Sequence, residues 1–180
     1  MCLSLLPFFI SFFLLQVNSD KKYVVNNMHS NKKVCMLTFD DGPSTENDNE
    51  ILNILEKYKV PGTFFYVGKN IEDNINNLKP LFNRILENGS YIGNHTFTHN
   101  KYVLKTNSLV NEINKTNELI ISVSNELNNE YIPLRMPYLQ FYSGIDSALS
   151  KLNQDNFIGG YLSGDWVYDK YGKEEIIKNI

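Results

Sequence analysis

Short apolar runs of four to six residues recur along this chain, and between them lie segments whose apolar residues return at helical spacing. That rhythm leaves few folds open. Val34 to Phe39 (VCMLTF) reads as a buried strand that ends in Asp40, Asp41, Gly42 and Pro43 and turns sharply there. Thr45, followed three residues later by Asp48, caps a helix carried by Ile51, Leu52, Ile54, Leu55 and Tyr58 and stopped by Pro61-Gly62. Thr63 to Val67 is the next strand, Leu78 to Leu86 a helix closed near Gly89, and Tyr91 to Asn94 a strand ending at His95. Leu109, Ile113, Ile120, Val123 and Leu127 mark a long amphipathic helix, and Leu134 to Tyr138 and Phe157 to Leu162 are strands around a helix at Ile145 to Leu152. Strands alternating with helices make a parallel α/β fold, open or closed into a barrel. Ligands of such folds bind where loops leave the strand ends, and the polar residues of interest fall there.

The N-terminus is expected to stand apart from this domain. Leu3 to Val17 is almost wholly apolar, too short to span a bilayer and interrupted by Pro7, so residues 1–19 read as a signal peptide cleaved before Asp20. An uncleaved anchor is the competing reading. Residues 20–33 form a polar leader, and residues 34–180 a single domain without a Gly/Pro/Ser-rich linker. The expected product is secreted, to the extracellular space or cell wall, with no stable membrane span. Of the two cysteines, Cys2 lies in the signal, which leaves Cys35 as a buried thiol without an internal disulfide partner. The net charge of −3, without a basic cluster, argues against nucleic acid and suits a neutral, hydroxyl-rich ligand. Sequons stand at Asn88, Asn94 and Asn114, the second of them inside the region of chemical interest.

That region is built from histidine and carboxylate. His95 and His99 form an H-x-x-x-H pair in HTFTH; on a helical turn both imidazoles share one side and can hold one ion, whereas otherwise one packs and one is solvated. Asp40 and Asp41, at the end of the first strand, can supply a third ligand and a base for water, or can simply stabilise a turn.

Taken together, Thr38-Phe39-Asp40-Asp41-Gly42-Pro43, His95-Thr96-Phe97-Thr98-His99, Arg135-Met136-Pro137-Tyr138 and Asp165-Trp166 resemble, in order and spacing, the motifs of the polysaccharide deacetylase family, the NodB-like carbohydrate esterases. The resemblance runs from Val34 to Ile180 and implies a distorted (β/α) barrel of the NodB type. It implies that Asp41, His95 and His99 hold one divalent metal, usually zinc, and that Asp40 is the catalytic base. Arg135 would pair with that base and orient it, although outside the motif it reads as a surface charge. The Tyr138 backbone N–H would stabilise an oxyanion, and its ring can equally be core packing. Asp165 would orient a catalytic histidine and Trp166 wall the sugar site, although a lone tryptophan also suits a core.

The chain departs from the family in two places. Leu162 stands where members often carry an acid, and the Leu-x-His motif of the general acid does not occur after Asp165-Trp166. The C-terminal strands of the barrel are likewise expected to be missing, as in a truncated fragment. General acid catalysis typically contributes on the order of a hundredfold to ten-thousandfold, so slow turnover is expected of these 180 residues. The activity the resemblance implies is hydrolytic release of acetate from an N-acetylated polysaccharide, chitin foremost. A sugar-binding relative without turnover, and a secreted domain with a structural metal, are the competing readings. Oligomeric state is not legible.

Overall fold

The computed structural model describes residues 24–25, 35–101, 105–124, 127, 132–154, 157–160, 163, 165 and 172–174. The expected signal peptide and Trp166 lie outside the described residues, as does the leader apart from Val24–Val25. In chain order the elements are β1 (Val24–Val25), β2 (Leu37–Gly42), α1 (Thr45–Tyr58), β3 (Gly62–Tyr66), α2 (Gly68–Asn74), α3 (Lys79–Glu87), β4 (Tyr91–Asn94), α4 (Thr106–Val123), α5 (Ser143–Leu152) and β5 (Phe157–Ile158). Strands β2, β3 and β4 form a parallel sheet in that order. Single parallel bridges from Asn94 to Leu134 and from Leu134 to Phe157 carry the pairing on to β5, which pairs in parallel with β1. Successive parallel strands with helical crossovers are the α/β arrangement expected, curving in the manner of a distorted barrel.

All five residues of β3 are buried, as a central parallel strand requires when both faces are covered. One face meets the helices: Phe39, Phe64, Tyr66 and Phe82 form a continuous aromatic row with ring centroids 5.0, 6.1 and 5.6 Å apart, into which Leu52, Leu55, Ile71 and Ile85 pack. A side chain of this size contributes about 1.5–3 kcal/mol when fully buried. A second apolar cluster joins Leu109 and Ile113 of α4 to Leu134, Met136, Ile145, Leu149 and Phe157. Gly93 on β4 is held to hydrogen by close approach, since a Cβ there would stand 2.5 Å from the Phe65 ring and 2.9 Å from the Pro133 carbonyl.

Several local expectations change. The N-cap of α1 is Ser44 rather than Thr45, and the Asp48 carboxylate reaches back to accept its N–H at 3.0 Å. The same carboxylate accepts the hydroxyl of fully buried Tyr66 at 2.7 Å, and its burial raises the Asp48 pKa. Leu134 to Tyr138 is not a strand: only Leu134 bridges, and Pro137–Leu139 forms a 3-10 turn with Tyr138 at φ 57°. Among the described residues the last strand covers Phe157–Ile158, with residues 161 and 162 of the expected strand outside them, and Val24–Val25 of the leader form β1, which pairs with it. Cys35 lies ahead of β2 and is half-buried, not a core thiol. Asn94 is fully buried and donates to the Ile113 carbonyl and the Asn117 side chain, so a glycan has no access to that sequon. Among the described residues, no helix is long and apolar enough to cross a membrane.

Candidate metal centre

Adjacent residues of a strand point to opposite faces, so Asp40 and Asp41 should not serve one site. The backbone resolves this with a bulge. Phe39 pairs with Phe64 and Gly42 with Tyr66, which leaves Asp40 and Asp41 together opposite Phe65. Asp41 also adopts φ 71°, a left-handed conformation costly for a residue with a Cβ. Thr38 and Asp40 retain the strand's two-residue period and share a face, where Arg135 Nη1 donates to Thr38 Oγ1 at 2.7 Å and to Asp40 Oδ1 at 2.9 Å. Asp41 is thereby freed to turn toward the histidines.

His95 and His99 do not sit on a helical turn as expected. Residues 95–99 form an irregular loop leaving β4, with Thr96 at φ 65° and His99 at φ 51°, and the two rings converge because the loop folds back on itself. Asp41 Oδ1 lies 3.4 Å from His95 Nε2 and 2.9 Å from His99 Nε2, and the three donor atoms lie within 4.8 Å of one another. A four-coordinate ion with bonds of about 2.0–2.1 Å holds its ligand atoms roughly 3.3–3.4 Å apart, so these positions fit an ion with little adjustment. Without an ion, hydrogen bonds from the His95 and His99 rings hold the Asp41 carboxyl well below the usual carboxylate range; an ion would take the place of the Nε2 protons and meet the ionised carboxylate.

The two histidines are oriented in different ways. His95 is buried, and its Nδ1 stands 2.9 Å from the Arg135 carbonyl. A carbonyl only accepts, so Nδ1 carries the proton and Nε2 offers its lone pair to the centre. His99 is partly exposed; its ring packs 5.1 Å from that of His95 and 4.8 Å from that of Tyr138. Among the described residues the donor set is two nitrogens and one carboxylate oxygen, with Asp41 exposed to solvent, and three protein ligands are the number found in catalytic rather than closed structural centres.

Arg135, far from being a surface charge, is fully buried, and it ties the site together. Besides its bonds to Thr38 and Asp40, Nη2 donates to the Gly159 carbonyl at 2.7 Å just beyond β5, and the guanidinium lies 4.3 Å over the Phe65 ring. Burial presses its pKa down, and the Asp40 carboxylate opposes that. Tyr138 is half exposed, and its N–H has no hydrogen-bond partner among the described residues, whereas the neighbouring Leu139 and Gln140 N–H groups close the turn. Asp165 does not join the cluster: its carboxylate accepts from Ser163 Oγ and makes no hydrogen bond to Asp40, Arg135 or the histidines among the described residues.

Three supporting residues escape a reading of the sequence. Thr38 had a signal in its two-residue offset from Asp40. Asn70 of α2 donates to the Asp41 carbonyl at 2.9 Å, and Glu112 of α4 binds the histidine loop; neither belongs to a motif.

The family model described as "Polysaccharide deacetylase" matches residues 27–157. A peptidoglycan-N-acetylglucosamine deacetylase of Bacillus cereus is 34% identical over 83% of this chain and 51% of that protein. A chitooligosaccharide deacetylase of Rhizobium leguminosarum bv. trifolii is 34% identical over 53% of this chain and 43% of that protein. The chain thus spans about half the length of these relatives. Among solved structures, a family 4 acetyl xylan esterase from Clostridium thermocellum, in complex with a cobalt ion, superposes with a TM-score of 0.67 at 25% identity, covering 81% of this chain and 66% of that one.

Proposed function

Because the chain belongs to the polysaccharide deacetylase family, we propose that it is a secreted, zinc-dependent hydrolase that removes N-acetyl groups from an N-acetylglucosamine polymer, chitin foremost, and releases acetate. The observation that carries this reading is the convergence of Asp41, His95 and His99 on one point beside an Asp40 carboxylate that is committed to Arg135 instead of to that point.

A divalent ion held by Asp41, His95 and His99 would supply a Lewis acid for the acetamide carbonyl and would acidify a water molecule. Asp40 would accept a proton from the attacking water, with one oxygen available because Arg135 Nη1 engages Oδ1 alone. Arg135 fixes the direction of this base through its bonds to Thr38 and Gly159. The Tyr138 N–H donates to the carbonyl oxygen as negative charge develops there, and the Tyr138 ring offers an exposed apolar face beside His99 for a sugar. Trp166 and Asp165 are proposed to border the same cleft.

A second substrate has specific support: the relative named for peptidoglycan aligns over 83% of this chain, the one named for chitooligosaccharides over 53%. The zinc-loaded chain, incubated in parallel with N-acetylglucosamine oligomers, peptidoglycan glycan strands and O-acetylated xylan, is expected to release acetate and expose free amines on the oligomers most rapidly. Faster release from peptidoglycan moves the assignment to that polymer. Release from xylan alone overturns the N-acetyl assignment.

A further inference from the structure

The difference between the two histidines has a structural remedy on α4. His95 is oriented by its own Nδ1 bond to the Arg135 carbonyl, whereas His99 has no hydrogen bond at Nδ1 among the described residues and sits at φ 51°. Its position therefore depends on the backbone that delivers it. That backbone is gripped from two sides. The first N–H groups of α2, from Gly68 and Lys69, donate to the carbonyls of Thr96 and Phe97, both at 2.9 Å. From the opposite side, Glu112 Oε2 accepts the N–H groups of Phe97 at 2.9 Å and Thr98 at 2.7 Å, and the Thr98 hydroxyl donates to both carboxylate oxygens, at 2.9 and 3.1 Å. Lys115, one turn along, lies 3.6 Å over the Phe97 ring and pairs with Glu72 of α2 at 3.0 Å, closing the two helices around the loop.

We propose that Glu112 is a positioning residue of the metal centre, setting the His99 arm through the Phe97 and Thr98 N–H groups rather than by contact with the ion. This rests on the metal reading of Asp41, His95 and His99. A carboxylate accepting two backbone N–H groups makes charge-assisted bonds roughly twice as strong as neutral ones, and it fixes the conformation of the residue before the ligand. Removing a group that orients a ligand typically costs about 10–100-fold in metal affinity.

The test is a zinc titration of the full chain by calorimetry, with the visible spectrum of the cobalt(II)-loaded protein as a second readout. Glu112→Ala is expected to weaken zinc binding about 10–100-fold and to alter the cobalt spectrum as His99 leaves its place. Glu112→Gln keeps a carbonyl oxygen for the N–H groups but loses the charge, and is expected to fall between the parent and the alanine variant. Glu118→Ala, exposed on the same helix, should bind as the parent does. A role confined to holding the fold would lower the metal-free melting temperature and leave the affinity of the folded protein unaltered. Parental affinity and an unaltered cobalt spectrum in either folded Glu112 variant would overturn the proposal, and the glutamine variant decides if the alanine variant does not fold. If the parent chain binds neither zinc nor cobalt, the metal reading itself fails and the role of Glu112 with it, an outcome distinct from parent binding that the variants share.

Discussion

Asp40→Asn is expected to reduce acetate release on the order of a hundredfold to ten-thousandfold, the contribution typical of a general base, while zinc affinity stays at the parental value. The separation follows from the geometry. Asp40 sits on the Thr38 face of β2 and spends one oxygen on Arg135, while Asp41, turned away by the bulge and its φ of 71°, faces the histidines. An asparagine in place of Asp40 still presents an oxygen to Arg135 Nη1, so the guanidinium is not left without a partner there. What it cannot do is take a proton from water. The check is a pair of measurements on one preparation, zinc by calorimetry and acetate by a coupled assay. A fall in zinc affinity would make Asp40 a ligand, and undiminished acetate release would remove it as the base.

Arg135→Met should have the largest effect on stability. Breaking a buried ion pair by removing one partner costs about 3–5 kcal/mol, because the remaining charge keeps its desolvation penalty without its partner. Here the penalty belongs to Asp40, which is 25% exposed and recovers some water, so the lower part of that range is expected. Added to it are the bonds to Thr38 and Gly159, the second of which tethers the segment beyond β5 to the body of the sheet. Methionine fills much of the volume over the Phe65 ring but restores none of these bonds. At about 2–4 °C per kcal/mol for a domain of this size, the metal-free melting temperature should fall by at least about 6 °C. A melting temperature equal to the parent's would show that the Arg135 bonds contribute little net stability.

How much of this was legible beforehand depends on the kind of signal each residue leaves. The strands of the β2–β4 sheet were readable as short continuous apolar runs, and the long helix α4 because its apolar residues repeat at helical spacing. The seven-residue helix α2 was not, since Ile71 is its one buried large apolar residue and a single position has no period. Asp40, Asp41, His95, His99 and Arg135 were identifiable as a set, but the approach of the two histidines was tied to a helical turn that does not form. It comes instead from a β-bulge and from positive φ at Asp41, Thr96 and His99, backbone states that ordinary side chains disfavour and that no propensity would suggest. Such strain persists only where surrounding bonds over-determine it, and here Asn70, Glu112 and the first N–H groups of α2 supply them. Those supports lie far from the motifs in sequence and act through the backbone, so spacing could not reveal them. Tyr138 likewise was expected in a strand, and its positive φ placed it in a turn with its N–H free of partners among the described residues.

The most direct measurement is acetate release from N-acetylglucosamine oligomers by the full chain, assayed as purified, after exhaustive chelation, and after stoichiometric zinc is returned. Release that stops on chelation and returns with zinc is the predicted result. Oligomers bound by the chain with no acetate released in any of the three states, or release indifferent to chelation, would contradict it.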